Sequence, residues 1–201
     1  MIKNEDILLF PETISIYKIE NFKEILFKQY LKKTKFILNE GTESHTSEEQ
    51  KITTLDNFVE LKKQIILCCK DYVNNKFKLN YNLKITDSWA TMTKKGGSSH
   101  KHHHLHSFVS GVFYPLLKQK AEIKFYRKYI SDFWASTPKE YNLYNSDSWI
   151  VPVEKNDLIL FKSYLNHEIV KYQGEENRYS IAFNVIPTGD IGLPTFKISL
   201  K

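Results

Sequence analysis

The chain has 201 residues, 41% of them hydrophobic and 14% aromatic, with a formal net charge of +6 at pH 7. That length supports one well-buried core and a single domain over residues 1–201. A charged fraction of 26%, with only seven glycines and six prolines, excludes a disordered or fibrous chain. No apolar run approaches the roughly 18 residues of a membrane span. The apolar stretch at residues 7–10 is too short for a signal-peptide core, so a soluble, cytoplasmic protein without a membrane partner is expected. The lysines are scattered along the chain rather than clustered, so charge alone does not favour a nucleic-acid partner. Cys68 and Cys69 are adjacent and poorly placed for a mutual disulfide, which fits two buried thiols in a reducing compartment.

In chain order, residues 1–79 read as a helical accessory region. Asn21 with Glu24 resembles a capping box, and Phe22, Ile25, Leu26 and Tyr30 supply an apolar stripe. Residues 40–54 are polar and without period, which predicts a loop. A second helix is expected from Asp56, as N-cap, to about Tyr72, with Phe58, Leu61, Ile65, Cys68 and Tyr72 on its buried face.

Beyond Asn80 the character changes to short β-branched and aromatic runs separated by turns. Strands are predicted near 82–92, 107–117, 121–127, 148–153, 157–162, 167–173, 178–186 and 194–200. Eight strands at this spacing indicate a sandwich or barrel over residues 80–201, with the helices packed outside it. Residues 127–147 are aromatic-rich and match no element. Within and just after them, Phe133, Trp134, Tyr141, Tyr144 and Trp149 suit either a lid over a substrate or an ordinary packed insertion.

Five of the seven histidines fall in His100-Lys101-His102-His103-His104-Leu105-His106, and His167 follows the apolar run at 157–161. Side chains at i and i+2 of a strand share a face, so His102 and His104 can converge, while His103 points away. Imidazole is the commonest protein ligand for first-row transition metals. A surface tract that binds metal weakly is the alternative.

The stretch Gly96-Gly97, His102, His104, Ser107 and Ser110-Gly111-Val112-Phe113-Tyr114 resembles the G-G-x-x-x-x-H-x-H-x-x-S-x-x-S-G-V-Y-Y motif of a branch of the 2-oxoglutarate/Fe(II) oxygenases. That branch is frequent in bacteria and their phages. Trp89 matches its preceding tryptophan. Ile150-Val151-Pro152, Asp157-Leu158-Ile159-Leu160-Phe161 and His167-Glu168-Ile169-Val170 resemble its V-x-P…G-D-L-x-L-F-P-S-x-L-x-H-x-V segment. Arg178-Tyr179-Ser180-Ile181-Ala182-Phe183-Asn184 resembles its R-x-S-I-S-F-N ending. Asn156 replaces a glycine and Lys162 a proline of the pattern, changes that bear on turn geometry more than on chemistry.

The resemblance implies a double-stranded β-helix, or jelly roll, carrying an Fe(II)- and 2-oxoglutarate-dependent dioxygenase. Its default reaction is hydroxylation of an unidentified small-molecule or peptide substrate, releasing succinate and CO2, with ascorbate as an optional stimulant. It implies His102 and His167 as metal ligands, with either His104 or a water as the third. Arg178 and Ser180 would hold the distal carboxylate of 2-oxoglutarate, because a guanidinium fork matches a carboxylate. Tyr114 suits either a bond to that co-substrate or the barrel interior. Trp89 suits either the core or a substrate contact. His100, His103 and His106 have no assigned role. A phage-encoded member would work in the host cytoplasm. A cupin-type metal protein of the same architecture and a non-catalytic barrel scaffold are the competing readings. The first lacks its expected glutamate after the second histidine and gives Arg178 and Ser180 no task; the absence of a carboxylate ligand leaves the second open. The sequence does not set the oligomeric state.

Overall fold

A computed structural model describes residues 7, 9–128, 137–193 and 195–200. Phe133 and Trp134 lie outside them. Seven antiparallel strands build the barrel: β4 (Asn82–Thr93), β5 (Val109–Leu116), β6 (Ala121–Tyr126), β7 (Ser148–Val153), β8 (Asp157–Lys162), β9 (His167–Ile169) and β10 (Arg178–Leu193). The major sheet carries the order β4-β10-β5-β8, and the minor sheet β9-β6-β7. An isolated bridge between His102 and His167 extends the minor sheet by an irregular eighth member. This interleaving of two four-membered sheets is the double-stranded β-helix. The eighth place is thus filled by the His102 segment, whereas residues 195–200 do not belong to the barrel. There β11 (Phe196–Leu200) folds back on the far end of β10 as a hairpin.

The N-terminal third contributes more than helices. Strand β1 (Ile14–Lys18) pairs with β8, and β2 (Phe36–Leu38) with β3 (Ser44–Ser47) continues the major sheet beyond β4. The polar run at 40–54 therefore holds a strand. Its burial rests on Ser44 and Ser47 rather than on apolar residues, so periodicity in hydrophobicity could not reveal it.

Helix α1 (Glu24–Lys33) has Lys23 at its N-cap position, with no side-chain cap. Asn21 lies outside it with φ +55°, so the expected capping box does not form. Its buried residue is Phe27, and Ile25 is exposed. A 3-10 turn at Asp56–Phe58 precedes α2 (Val59–Lys70), and a π-turn at Asp71–Lys76 follows it. Leu61, Ile65 and Cys69 face inward from α2, and Cys68 is only half-buried.

Two cores result, one on each side of the major sheet. Ile181, Phe183 and Val185 of β10, with Val109 and Phe113 of β5 and Leu158 and Leu160 of β8, pack against Phe27, Phe58, Leu61, Ile65 and Tyr72 from the helical layer. Tyr114, Ile159 and Phe161 face the other way, between the sheets, against Ile123, Phe125, Val151 and Val153 of the minor sheet. Strand alternation separates the two sets.

Gly111 lies where these layers are tightest. A Cβ there would come within 2.3 Å of Phe183 Cζ and 2.7 Å of Leu160 Cδ2. Overpacking of this kind costs about 1–3 kcal/mol. Gly111→Ala is expected to lower the urea midpoint accordingly; an unchanged midpoint would show that the core yields at this point.

Candidate active site

The histidines are positioned by backbone pairing. His102 N–H donates to His167 O at 3.0 Å, and His167 N–H donates to His102 O at 2.8 Å. Residues directly opposite in an antiparallel pair present their side chains on one face, and these two imidazole centroids are 4.4 Å apart. His104 is tied in differently, its N–H donating to Ser163 O at 2.9 Å. Its ring lies 5.1 Å from that of His102 and 5.2 Å from that of His167. One nitrogen from each ring lies within 4.8 Å of the others, close enough for one cation to reach all three. Residues 102–104 are an irregular segment rather than the continuous strand that the i, i+2 argument supposed.

The protonation pattern suits a cation. His102 Nδ1 lies 2.8 Å from the carbonyl of His100, and His167 Nδ1 lies 3.0 Å from the carbonyl of Leu165. A carbonyl accepts only from N–H, so Nδ1 carries a proton in both rings and Nε2 is the nitrogen left to meet a metal. Burial and the neighbouring imidazoles depress His167 to about 3. Burial chiefly, with His102, depresses His104 to about 4. Neutral, lone-pair-bearing imidazoles are what a metal requires.

The remaining histidines stay apart. His100 Nε2 lies 2.8 Å from Glu40 O, and His103 Nδ1 lies 3.3 Å from Asn166 Oδ1. His106 sits in a turn with φ +56°.

Arg178 opens β10 and is 1% exposed, the largest fully buried side chain among the described residues. Its Nη2 donates to Tyr114 Oη at 3.1 Å, and its guanidinium carbon lies 5.0 Å from the centre of that ring. Nε and Nη1 are buried without a partner, and among the described residues Arg178 makes no ion pair. A buried, uncompensated cation costs several kcal/mol. A fork of unpaired N–H groups is therefore a site prepared for a carboxylate.

Ser180, also 1% exposed, faces the same side and shares a 2.6 Å hydrogen bond with Thr91 on β4. Tyr114 is fully buried and its phenol is pushed up by burial, with Arg178 acting against that. Along β10, Arg178 is four residues from Ala182, about 13 Å at strand rise. Ala182 pairs with Trp89, whose half-buried ring lies 5.9 Å from that of His104. The guanidinium and the imidazole cluster thus lie apart along the inner face of one barrel. Trp89 borders the imidazole cluster.

Tyr144 and Trp149 line a cleft of about 570 Å³ together with Phe125 and Leu165. Phe125 stands 6.0 Å, and Phe161 4.6 Å, from the ring of His167. Tyr141 is exposed. Asn156, in place of glycine, adopts φ +67°, a conformation that asparagine tolerates better than most residues. The Asp157 carboxylate closes that turn by accepting from Glu154 N–H at 2.7 Å.

Residues 87–184 match the model of a family described as "Putative 2OG-Fe(II) oxygenase". Over that span, just under half of the chain, the sequence is similar to the 2OG-Fe(II) oxygenases. Both clustered features, the three histidines and Arg178 with Ser180, fall inside the matched residues. No curated protein matches the chain by sequence. Solved structures with the same fold include HygX from Streptomyces hygroscopicus with nickel, 2-oxoglutarate and hygromycin B bound. It has a TM-score of 0.59 at 12% identity, covering 88% of this chain and 84% of that one. The α-ketoglutarate-dependent epimerase SnoN from nogalamycin biosynthesis gives 0.60 at 10% identity, over 92% and 81%. A prolyl-4-hydroxylase of Pseudomonas putida gives 0.54 at 11%, over 86% and 92%. Identities this low speak for the fold alone. No helix among the described residues is long and apolar enough to cross a membrane.

The motifs did not disclose the polar cluster around Asp87 and Asn184. Asn184 closes the R-x-S-I-A-F-N segment and Asp87 stands two residues before Trp89, so both were in view. Only the β4–β10 register sets them side by side.

Proposed function

We propose that the protein is an Fe(II)- and 2-oxoglutarate-dependent dioxygenase in which His102, His104 and His167 hold the metal. Arg178, with Ser180 and Tyr114, would hold the distal carboxylate of 2-oxoglutarate. The observation that carries this reading is the pair of features inside one barrel, a buried guanidinium with two unpartnered N–H groups and a cluster of three imidazoles. A cupin-type site or a scaffold leaves that orphaned cation unexplained.

The donor set fits the metal. Three neutral nitrogens on one side of a cation leave its other positions free for a chelating co-substrate and for oxygen. The His100 and Leu165 carbonyls fix the two ring orientations, so Nε2 of His102 and His167 need not reorganise on binding. Arg178 neutralises and orients the co-substrate. The Tyr114 hydroxyl steadies the guanidinium, and Phe125 and Phe161 pack beside the His167 ring and exclude water there. When bound, Fe(II) supplies activation of oxygen coupled to decarboxylation of 2-oxoglutarate. The substrate, a small molecule or a peptide, approaches from the histidine side, past Trp89.

The protein incubated aerobically with Fe(II), ascorbate and 2-oxoglutarate, without substrate, is expected to release succinate slowly. Absence of both succinate and 2-oxoglutarate binding would return the scaffold or cupin reading.

A further inference from the structure

Imidazole binds a metal as a neutral ligand, so a divalent cation held by three of them keeps its full +2 until an anion arrives. One carboxylate stands beside the cluster. Asp87 faces the barrel from β4, two residues before Trp89, whose ring borders His104. Its Oδ2 accepts from Asn184 Nδ2 at 2.5 Å and its Oδ1 from Thr86 Oγ1 at 2.5 Å. With both oxygens accepting, the orientation of the carboxylate is fixed. Among the described residues no cation pairs with it, and all its partners are neutral.

The anchoring continues toward the histidines. Ser110 Oγ donates to Asn184 Oδ1 at 2.7 Å, which leaves Ser163 Oγ to donate to Ser110 Oγ at 2.8 Å. Ser163 O then accepts the N–H of His104 at 2.9 Å. Asn184, Ser110 and Ser163 are buried, so each bond in this chain is costly to break. Asp87 and Trp89 share the inner face of β4, two residues or about 7 Å apart at strand rise, and a carboxylate at such range in a low-dielectric interior attracts a cation.

We propose that Asp87, fixed by Asn184 and the Ser110–Ser163 chain, supplies the negative charge for the metal site that its three neutral histidines do not bring, without itself touching the metal. It is a positioning and charge-balancing residue, and the inference rests on the three-histidine reading above.

The test is calorimetric titration of the full chain with Co(II), then of the Ni(II)-saturated protein with 2-oxoglutarate. Asp87→Asn should weaken Co(II) binding by about 10–100-fold, as loss of an orienting or charge-bearing neighbour of a metal ligand does. The same variant should bind the 2-oxoglutarate dianion several-fold more tightly, because a repelling charge is gone. A merely structural defect would weaken both. The exchange Asp87→Asn with Asn184→Asp keeps the hydrogen bond and the net charge, and should restore most of the Co(II) affinity. Unchanged Co(II) affinity in Asp87→Asn, or parallel loss of both affinities that the exchange does not restore, overturns the inference while leaving the ligand set standing. Wild-type protein that takes up no Co(II) overturns both.

Discussion

Arg178→Ala is expected to weaken 2-oxoglutarate binding by roughly 2–5 kcal/mol, the usual cost of removing one member of a buried, hydrogen-bonded charged pair. In affinity this is roughly 30- to 4,000-fold, readable by titration of the Ni(II)-loaded protein. The size follows from the environment. Arg178 is 1% exposed and its Nε and Nη1 have no protein partner, so both N–H groups are left for the carboxylate, and Ser180 and Tyr114 bring no charge to replace them. Arg178→Lys should rescue little, because an ammonium cannot reproduce the two parallel bonds of a guanidinium. A control separates binding from folding. Arg178→Met nearly keeps the volume and removes an uncompensated buried cation, so without co-substrate this variant should be at least as heat-stable as the parent. It should nonetheless fail to bind 2-oxoglutarate. Unchanged affinity in Arg178→Ala would remove the residue from the site.

His167→Ala should abolish metal binding. The loss should exceed the 10–100-fold or so that follows when only an orienting partner is lost. His167 is 4% exposed and packed against Phe161, and its Nδ1 proton is held by Leu165 O. Its ring is thus the most firmly aimed of the three. His103→Ala, by contrast, should leave Co(II) titration unchanged, because that ring turns toward Asn166. His104→Ala decides the third ligand. A loss comparable to that of His167→Ala assigns three histidines, and unchanged affinity assigns two histidines and a water.

Local pattern made the barrel legible wherever a strand was apolar on at least one face. Residues 157–162 are buried along nearly their whole length, facing the helical core at Leu158 and Leu160 and the inner core at Ile159 and Phe161. Such a run reads clearly. Strands β2 and β3 did not, because β2 is three residues long with two of them exposed, and β3 buries serines. The capping box at Asn21 matched in sequence only. Asn21 takes a positive φ and α1 begins later, at Glu24, so spacing alone mistook a turn for a cap.

The candidate site divides along the same line. Histidine spacing and the R-x-S pattern could be read locally. The Leu165 and His100 carbonyls that set the tautomers are backbone atoms, invisible to any motif. The pairing of Asp87 with Asn184 depends on a register 97 residues apart in sequence, with a bulge between Asn184 and Val185. Expecting residues 194–200 to complete the barrel had a physical cause as well. Phe196, Ile198 and Leu200 alternate as a buried strand would, yet they stand exposed on the β10–β11 hairpin.

The most direct test of the proposed site is a crystal structure grown with Ni(II) and 2-oxoglutarate in the absence of oxygen. The metal should sit on Nε2 of His102, His104 and His167, with the distal carboxylate against Nε and Nη1 of Arg178. A metal held instead by His100, His103 or His106, or an Arg178 left unpaired beside bound 2-oxoglutarate, would contradict it.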